Sequence, residues 1–183
     1  MTVAVCDYGA GNVRSVALAF ERLGVDVRVT RSPDDVRSAD LAVLPGVGSA
    51  ATAMEGLRGA GLDDALRERV AFGVATLGIC LGLQLALEES EEDGGVPGLG
   101  LLPGRAVRLR EGRVPRIGWA PVEPEGEAFY FAHSYAAETP AATARSEGVV
   151  AIAEKGSFLG VQFHPEKSGA AGARFLERCL SRV

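Results

Sequence analysis

The sequence predicts an α/β protein with a mostly parallel central sheet, and three observations lead to this fold class. Short apolar runs alternate with helical patterns through the first half of the chain. The run Leu-Ala-Val-Leu at 41–44 is apolar throughout, as strands buried on both faces of a parallel sheet are. The links between runs are short, and strands that alternate with helices form βαβ units with parallel strands.

Each element of the first half has its own signal. Residues 3–6 form a continuous apolar strand. In residues 12–23 apolar side chains recur at helical spacing, with Asn12 suited to the N-cap and Gly24 to the position beyond the helix. Residues 25–29 alternate like a strand with one polar face. The other predicted elements are strands at 41–44 and 72–79, and helices at 51–58, 62–71 and 81 to about 89.

The pattern changes beyond Ser90, where short segments are punctuated by Pro and Gly. The sequence predicts a loop at 91–95, short strands within 99–122, strands at 129–133 and 159–164, and a closing helix at 170–180. It contains no internal repeat, low-complexity tract or linker long enough to divide the chain. Residues 1–183 are therefore predicted to form a single domain.

Composition and charge restrict the classes of function. With 183 residues, 47% of them hydrophobic, the chain can bury a sizeable core and is not expected to be disordered. Its net charge of −5 comes from 19 basic and 24 acidic residues that are interspersed, so binding to nucleic acid or an anionic membrane is not expected. The first residues match a buried strand rather than a signal peptide, and no apolar run could cross a bilayer. Three widely spaced cysteines favour a reducing compartment, which predicts a cytoplasmic protein without disulfides or a zinc cluster.

The segment Gly-Ile-Cys-Leu-Gly at 78–82 lies where an apolar strand meets a helix. Glycines two residues on either side of Cys80 match the cysteine version of a nucleophile elbow, a strained turn with close backbone neighbours. The turn places the sulfur at a helix N-terminus, which favours the thiolate, and aims the Leu81 amide where an oxyanion would form. Taken alone, the segment fits a buried structural cysteine equally well.

A thiol nucleophile needs a base, and the chain contains two histidines, His133 and His164. His164 is followed two residues later by Glu166, which shares its face in an extended segment and can orient the imidazole. A Cys–His–carboxylate set deprotonates a nucleophile and later protonates an amine leaving group. A surface turn explains His-Pro-Glu by itself, but the elbow favours the catalytic interpretation. His133 is predicted to be a hydrogen-bonded histidine beside the pocket.

Two Gly-rich segments follow predicted strands, at 44–49 and 7–12. Open sheets bind ligands at the carboxyl ends of their parallel strands. Segment 44–49 could donate an amide to an oxyanion hole, cradle a phosphate or form a plain loop; the phosphate role is disfavoured because neither Gly-Lys-Ser/Thr nor G-x-G-x-x-G is present. Segment 7–12 could bind phosphate or simply turn the chain into its first helix, and the residues alone do not decide.

Together these segments resemble the class I (triad) glutamine amidotransferases. The matching pieces lie at 45–48, 78–84 and 162–166. Within that family the chain is similar to the glutaminase subunits of imidazole glycerol phosphate synthase, which acts in histidine biosynthesis. The residues that single out these subunits lie at 7–12, 115–119, 133–135 and 165–168. The resemblance runs from the first strand to the last helix with the motifs in the same order.

The resemblance implies a flavodoxin-like three-layer sandwich whose central sheet is accompanied by a small antiparallel sheet. It implies that Cys80 is the nucleophile, that His164 acts as base and then as acid, and that Glu166 orients His164. The residues that it implies for the oxyanion hole and glutamine binding are Gly46, Val47, Gly48, Leu81, Gln84, Ser134 and Tyr135. No metal and no cofactor is expected.

The resemblance also implies a partner, a (β/α)₈ cyclase subunit that forms a heterodimer with this chain. Ammonia passes through that subunit to a ribulosyl-formimino carboxamide nucleotide, which yields imidazole glycerol phosphate and AICAR. The positions implied to face the cyclase are Asn12, Trp119 and Lys167. Arg116 departs from the family, which often has histidine there, and the stretch 136–157 is compressed, so contacts in it are not carried over.

Competing functions are a cysteine hydrolase or peptidase on the same fold, a subunit that only docks, and an amidotransferase of the pyridoxal phosphate or anthranilate pathways. The intact triad argues against a docking-only subunit, while Gln84 and segment 45–48 favour glutamine. Segment 7–12 and Gly118-Trp119 argue against the other pathways. The sequence has a complete site for making ammonia but no basic cluster, phosphate loop or second domain for using it. The isolated chain is therefore predicted to be a poor glutaminase.

Overall fold

The computed structural model describes residues 1–9 and 11–183, so Ala10 of segment 7–12 lies outside the described residues. In the described part of the chain the strands are β1 Thr2–Cys6, β2 Asp26–Thr30, β3 Leu41–Leu44, β4 Thr76–Ile79, β5 Glu89–Ser90, β6 Val96–Pro97, β7 Arg105–Arg108, β8 Arg116–Val122, β9 Glu127–His133, β10 Tyr135–Glu138, β11 Ala142–Ser146, β12 Val149–Lys155 and β13 Phe158–Val161. The helices are α1 Val13–Glu21, α2 Pro33–Ser38, α3 Ala50–Gly59, α4 Leu62–Ala71, α5 Leu81–Leu85 and α6 Gly169–Leu180. Short 3₁₀ turns lie at Glu92–Gly94 and Pro165–Lys167.

The central sheet confirms the predicted mostly parallel arrangement. Its strand order is β11-β12-β13-β4-β3-β1-β2. The five strands from β13 to β2 are parallel, and β12 and β11 add antiparallel strands at one edge. Because β3, β4 and β13 are neighbours, the segments that follow them emerge side by side at one end of the sheet. Those segments contain the Pro-Gly-Val-Gly turn, Cys80 and His164.

Alternating side chains of the central strands pack into two cores on opposite faces of the sheet. One core contains Ala4, Ala42 and Leu44 and is covered by α2, α3, α4 and α5. The other contains Val3, Val5 and Val43 from the same strands and is covered by α1, α6 and the β8–β9 ribbon. This division follows from the period of two in a strand, and it yields the expected three layers.

Two small sheets accompany the central one, where the resemblance implied a single small sheet. One has four strands in the order β10-β7-β5-β6, and the other is the β8–β9 ribbon. The ribbon is a hairpin, because residues 123–126 turn the chain directly back and Gly126 N donates to Val122 O at 2.8 Å. The short connection makes the two strands antiparallel neighbours, and they form a sheet of two strands.

Several boundaries differ from the sequence predictions. Helix α2 was not predicted, although Ser32 caps it by accepting from Asp35 N and Pro33 occupies its first turn. The predicted helix from 81 to 89 ends at Leu85, because Glu89–Ser90 pairs with two other strands as β5. Strands β10, β11 and β12 replace a stretch without predicted elements. Alanine is common in β10 and β11, so pairing in the tertiary structure rather than strand propensity fixes these two strands, whereas Val149, Val150 and Ile152 give β12 a strand propensity of its own.

Candidate active site

Cys80 occupies the turn between β4 and α5 in a strained backbone conformation. Its φ is 52° and its ψ is −105°, outside the regions that side chains with a Cβ prefer. Such a residue costs of order 1–3 kcal/mol and persists only where its surroundings hold it. The amide of Cys80 donates to Val161 O at 2.7 Å, which fixes the turn to β13. The predicted nucleophile thus sits on the kind of turn that an elbow requires.

The two Gly-rich turns pack against each other backbone to backbone. A Cβ on Gly82 would lie 2.0 Å from Leu44 O, and a Cβ on Gly46 would lie 2.4 Å from the Cβ of Leu81. Any side chain at either position would therefore force the turns apart. This close approach places the Gly46–Gly48 turn beside the Leu81 backbone, where the sequence analysis expected both to contribute to an oxyanion hole.

His164 and Glu166 form a buried pair just beyond β13. The Nδ1 atom of His164 lies 2.8 Å from Oε1 of Glu166, and the two side chains are 2% and 1% exposed. The predicted contact is present, but the segment is not extended as the sequence argument assumed. Residues Pro165–Lys167 form a 3₁₀ turn, in which Ser168 N donates to Pro165 O at 3.0 Å. The turn brings Glu166 back onto the imidazole.

The His164 imidazole interacts with both the nucleophile and the carboxylate. Burial by itself lowers the pKa of His164, but hydrogen bonds and charge interactions with Cys80 and Glu166 outweigh it and raise the pKa to about 9. The protonated ring is therefore stabilised between two groups that carry negative charge when ionised. Such a ring can stabilise a thiolate and then donate its proton to a leaving group.

His133 lies beside the pocket, as expected, and has the opposite electrostatic environment. Burial lowers its pKa to about 4, and the positive charge of Arg116 adds to the effect. Its Nδ1 atom lies 2.8 Å from Tyr135 O; a carbonyl only accepts, so Nδ1 carries the proton. His133 is thus a neutral donor to the backbone and is oriented by it.

A cavity of about 240 Å³ opens beside Cys80 and His133. The seven residues predicted for the oxyanion hole and glutamine binding all line it; they are Gly46, Val47, Gly48, Leu81, Gln84, Ser134 and Tyr135. Glu92, which the sequence analysis left in a loop, supplies the one carboxylate among the lining residues of the described chain. Burial raises the pKa of Glu92, and the nearby Asp93 charge adds to the rise. Glu92 lies in a run of acidic residues of the kind found on protein surfaces, so nothing in the local sequence distinguished it from its neighbours.

Gln162, within the matching segment 162–166, is a second residue of the site for which no role was predicted. Its side chain is fully buried, and its Nε2 atom lies 3.5 Å from the Cys80 sulfur. The residue lies between β13 and His164, on the same strand end as the base. Its position two residues before His164 was the feature of the sequence that could have indicated a role in the site.

The three residues implied to face the cyclase lie in different environments. Trp119 is 58% exposed on β8, and Lys167 is exposed on the 3₁₀ turn. Asn12 is half-buried at the N-cap of α1, but its side chain makes no capping hydrogen bond. It donates instead to Oε1 of Glu166 at 3.4 Å. Asn12 therefore belongs to the surroundings of the triad.

Arg116, which departs from the family, pairs with His133 across the β8–β9 ribbon. Its side chain is 15% exposed, stacks over the ring of Phe131 at 4.3 Å and donates to Ser146 Oγ and Glu147. Arg116 is also one of five arginines around a groove of about 650 Å³; the others are Arg108, Arg110, Arg113 and Arg145. Four of these arginines lie within residues 108–116 and Arg145 joins them from β11, so most of this cluster was visible in the sequence and the prediction of no basic cluster missed it. Three glutamates in the same groove, Glu111, Glu138 and Glu147, offset part of the charge.

A parallel-sheet sandwich with a strained cysteine elbow and a buried His–Glu pair fits a triad hydrolase or amidotransferase, and similarity to known proteins distinguishes the two classes. The family model for class-I glutamine amidotransferases matches residues 4–183. A crystal structure of a glutamine amidotransferase superposes with a TM-score of 0.80 at 25% identity, covering 98% of this chain and 97% of that one. A glutamine amidotransferase from Thermotoga maritima, 19% identical, superposes with a TM-score of 0.64 over 100% of this chain and 83% of that one, which shows the shared fold.

Curated relatives narrow the assignment. Each of three is named imidazole glycerol phosphate synthase subunit HisH. The relative from Symbiobacterium thermophilum is 43% identical over 95% of this chain and 91% of its own length. Those from Methanothermobacter thermautotrophicus and Thermus thermophilus are 45% and 42% identical, over 99% and 96% of this chain and 98% and 95% of their own lengths. The chain belongs to the class-I glutamine amidotransferase family and, within it, to the HisH subunits of imidazole glycerol phosphate synthase.

Proposed function

We propose that this chain hydrolyses glutamine to glutamate and ammonia and passes the ammonia to the cyclase subunit of imidazole glycerol phosphate synthase in histidine biosynthesis. The observation that carries the proposal is the triad, in which His164 contacts Glu166 at 2.8 Å and interacts electrostatically with Cys80, and in which Cys80 lines a small cavity. The names of the relatives support the synthase as the place of action.

The first half of the reaction makes ammonia. The Cys80 thiolate attacks the side-chain carbonyl carbon of glutamine, and the carbonyl electron pair moves to oxygen. Amides of Leu81 and of the Gly46–Gly48 turn stabilise that oxyanion. The His164 imidazolium gives its proton to the amide nitrogen, the C–N bond breaks, and ammonia leaves a glutamyl thioester on Cys80.

The second half releases glutamate. His164, now neutral, takes a proton from a water molecule that attacks the thioester carbon. The C–S bond breaks, and the sulfur leaves as the thiolate beside the protonated ring. Glu166 holds the ring in the tautomer that presents its other nitrogen to Cys80 throughout, because it contacts Nδ1.

Glutamine recognition uses the charges of the cavity wall. We assign the α-ammonium group to Glu92, since a carboxylate on the wall provides the opposite charge. The Nε2 atom of Gln84 already donates to Tyr135 O at 2.7 Å and to Gln162 at 3.2 Å. Gln84 can therefore offer only its oxygen to the substrate, as an acceptor. The backbone at Ser134 and Tyr135 completes the amino-acid end of the site.

A partner is needed because ammonia in water near neutral pH is largely protonated and loses its nucleophilicity. Ile117 and Trp119 lie on one face of β8 and are 63% and 58% exposed. Ile117 also lines the active-site cavity, so this apolar face continues into the mouth of the site. We propose that the cyclase covers this face, with Asn12 and Lys167 at the same rim, and keeps the released ammonia from bulk water.

We further propose that residues 1–183 act as one domain in the cytoplasm. Both cores share the strands of the central sheet, which ties the chain into one unit. All three cysteines are free, as a reducing compartment would keep them. Within residues 1–9 and 11–183, no helix combines the length and the apolar character needed to span a membrane.

The test is to measure glutamine hydrolysis by the purified chain alone, with its cognate cyclase subunit, and with the cyclase and its nucleotide ligand. We expect weak hydrolysis alone and a large increase in the complex with ligand, and no activity from Cys80→Ala in any mixture. A Trp119→Ala variant should weaken the complex while its free chain keeps the fold. Full activity of the isolated chain, unchanged by cyclase or nucleotide, would indicate a free-standing hydrolase instead.

A further inference from the structure

A chain of buried amides connects the substrate-side backbone to the nucleophile. The Nε2 atom of Gln84 lies 2.7 Å from the carbonyl oxygen of Tyr135 and 3.2 Å from Oε1 of Gln162. The Nε2 atom of Gln162 then lies 3.5 Å from the Cys80 sulfur. Gln84 is 5% exposed and Gln162 is fully buried, so water does not compete for these hydrogen bonds.

The direction of every hydrogen bond in this series follows from the carbonyl of Tyr135, where the series begins. A backbone carbonyl can only accept, so the Gln84 atom that faces Tyr135 O must be the nitrogen. That same nitrogen faces the Gln162 side chain, whose nearest atom must therefore be the oxygen. The remaining amide nitrogen of Gln162 is left to face Cys80. The sulfur thus receives an N–H donor rather than a carbonyl oxygen.

Both ends of this series of hydrogen bonds are held by backbone groups. Tyr135 O also accepts from Nδ1 of His133 at 2.8 Å, so two donors fix this carbonyl. At the other end, Gln162 N donates to Ala151 O at 2.9 Å, which ties Gln162 to the central sheet. A side chain with a fixed backbone and a fixed amide oxygen has one orientation for its N–H groups.

We infer that Gln162 is a positioning residue for the nucleophile, whose side-chain N–H stabilises the Cys80 sulfur as thiolate and holds it in the elbow. The reverse arrangement, a thiol donating to a carbonyl, is weaker because the sulfur lies 3.8 Å from Ala132 O. A donor aimed at the sulfur favours its charged form. This inference deepens the proposed glutaminase function, and it explains why a polar side chain is fully buried next to the cysteine.

The experiment measures the pH dependence of Cys80 alkylation by iodoacetamide in the full chain. Gln162→Leu removes the donor at nearly constant volume, so the midpoint pH of alkylation should rise by about one to two units. Glutaminase activity of the complex should fall by about ten- to hundredfold, the effect of losing a hydrogen bond to a charged group. The matched control is Thr76→Val, which deletes a buried hydroxyl at the opposite end of β4 and should leave the midpoint unchanged.

An unchanged alkylation midpoint in a folded Gln162→Leu variant would overturn the inference, even if the variant melts at a lower temperature. A second measurement needs no variant. In the isotope-labelled native chain, the side-chain amide protons of Gln162 should shift in NMR spectra with the same midpoint as alkylation; protons that do not shift would also overturn it. Neither measurement requires glutamine or the cyclase, so a failure here is distinct from a failure of the proposed function.

Discussion

Asn12, at the start of the first helix, donates its side-chain amide to Oε1 of Glu166 at 3.4 Å, across 154 positions of sequence. The same oxygen contacts Nδ1 of His164 at 2.8 Å. The other oxygen of Glu166 is buried, and no group in the described part of the chain hydrogen-bonds to it. Helix α1 is thereby connected to the triad through one carboxylate oxygen.

Replacing Asn12 should test this connection. Asn12→Asp exchanges a donor for an acceptor next to the Glu166 carboxylate, so repulsion replaces a hydrogen bond. Asn12→Ala only removes the bond, whose contribution is about 0.5–1.5 kcal/mol or somewhat more for a charged acceptor. We expect glutaminase activity of the complex to fall further in Asn12→Asp than in Asn12→Ala. Affinity for the cyclase, measured separately, controls for docking; equal activities in the two variants would contradict this role of the donor.

Cysteine labelling should identify the nucleophile. Burial raises the pKa of Cys6 and of Cys179 to about 12, so both remain thiols at neutral pH. A glutamine-like electrophile should label Cys80 alone, as mapped by peptide mass spectrometry. Cys80→Ser should abolish both labelling and glutaminase activity. Labelling of Cys6 or Cys179 at a similar rate would count against the assignment.

The base should matter more than its orienting carboxylate. His164→Ala removes a general acid–base, which contributes roughly 10²–10⁴-fold, so activity should fall at least that far. Glu166→Gln keeps a polar group near Nδ1 and should cost less. His133→Gln, which changes the neutral histidine beside the pocket, serves as the comparison. A greater loss in His133→Gln than in His164→Ala would mean that the base is misassigned.

The two histidines predict opposite effects of pH on stability. The pKa of His133 falls from 6.5 to about 4 on folding, so its contribution is fully present above about pH 6.5 and is lost as pH falls toward 4. The pKa of His164 rises to about 9, so its contribution is present below about pH 6.5 and is lost as pH rises through 9. Urea unfolding at pH 7.5 and 5 should therefore show a smaller loss of stability for His133→Gln than for the native chain, by up to about 2 kcal/mol. Equal losses would show that His133 takes up its proton in the folded state.

Arg69 should be a stability determinant far from the chemistry. Its guanidinium is 2% exposed and donates to five backbone carbonyls, those of Val36, Arg37, Ala39, Asp40 and Ala75. Arg69→Met leaves these acceptors unpaired, so we expect a loss of about 3–5 kcal/mol in urea unfolding. Arg14→Met, on an exposed position of α1, is the control and should change stability by less than about 0.5 kcal/mol. A loss below about 1 kcal/mol in Arg69→Met would contradict the structural role.

Local patterns in the sequence predicted the strands β1, β3 and β13 and the helices α3, α4 and α6 to within a few residues. These elements are long or fully buried, so periodicity and composition identify them. The incorrect secondary-structure predictions have identifiable causes. The helix was predicted to continue to about Glu89 because nothing local reveals that Glu89–Ser90 pairs with two other strands. Strands β10 and β11 are rich in alanine and form because β7 and β12 offer edges for pairing, whereas β12 contains Val149, Val150 and Ile152, a strand signal that the prediction missed.

The sequence by itself determined the chemistry of this protein: a cysteine between glycines, a histidine followed by glutamate, and the order of the motifs. Those features are local, since a strained turn needs its glycines nearby and an orienting carboxylate can lie two residues from its histidine. Only the tertiary structure decided that Gln162 faces the Cys80 sulfur, that Glu92 lines the cavity and that Asn12 reaches Glu166. These contacts join residues that are far apart in the sequence, and no local pattern encodes which parts of the chain become neighbours. The order of the strands in the sheet determines which segments lie together, and that order is fixed by the packing of the whole core.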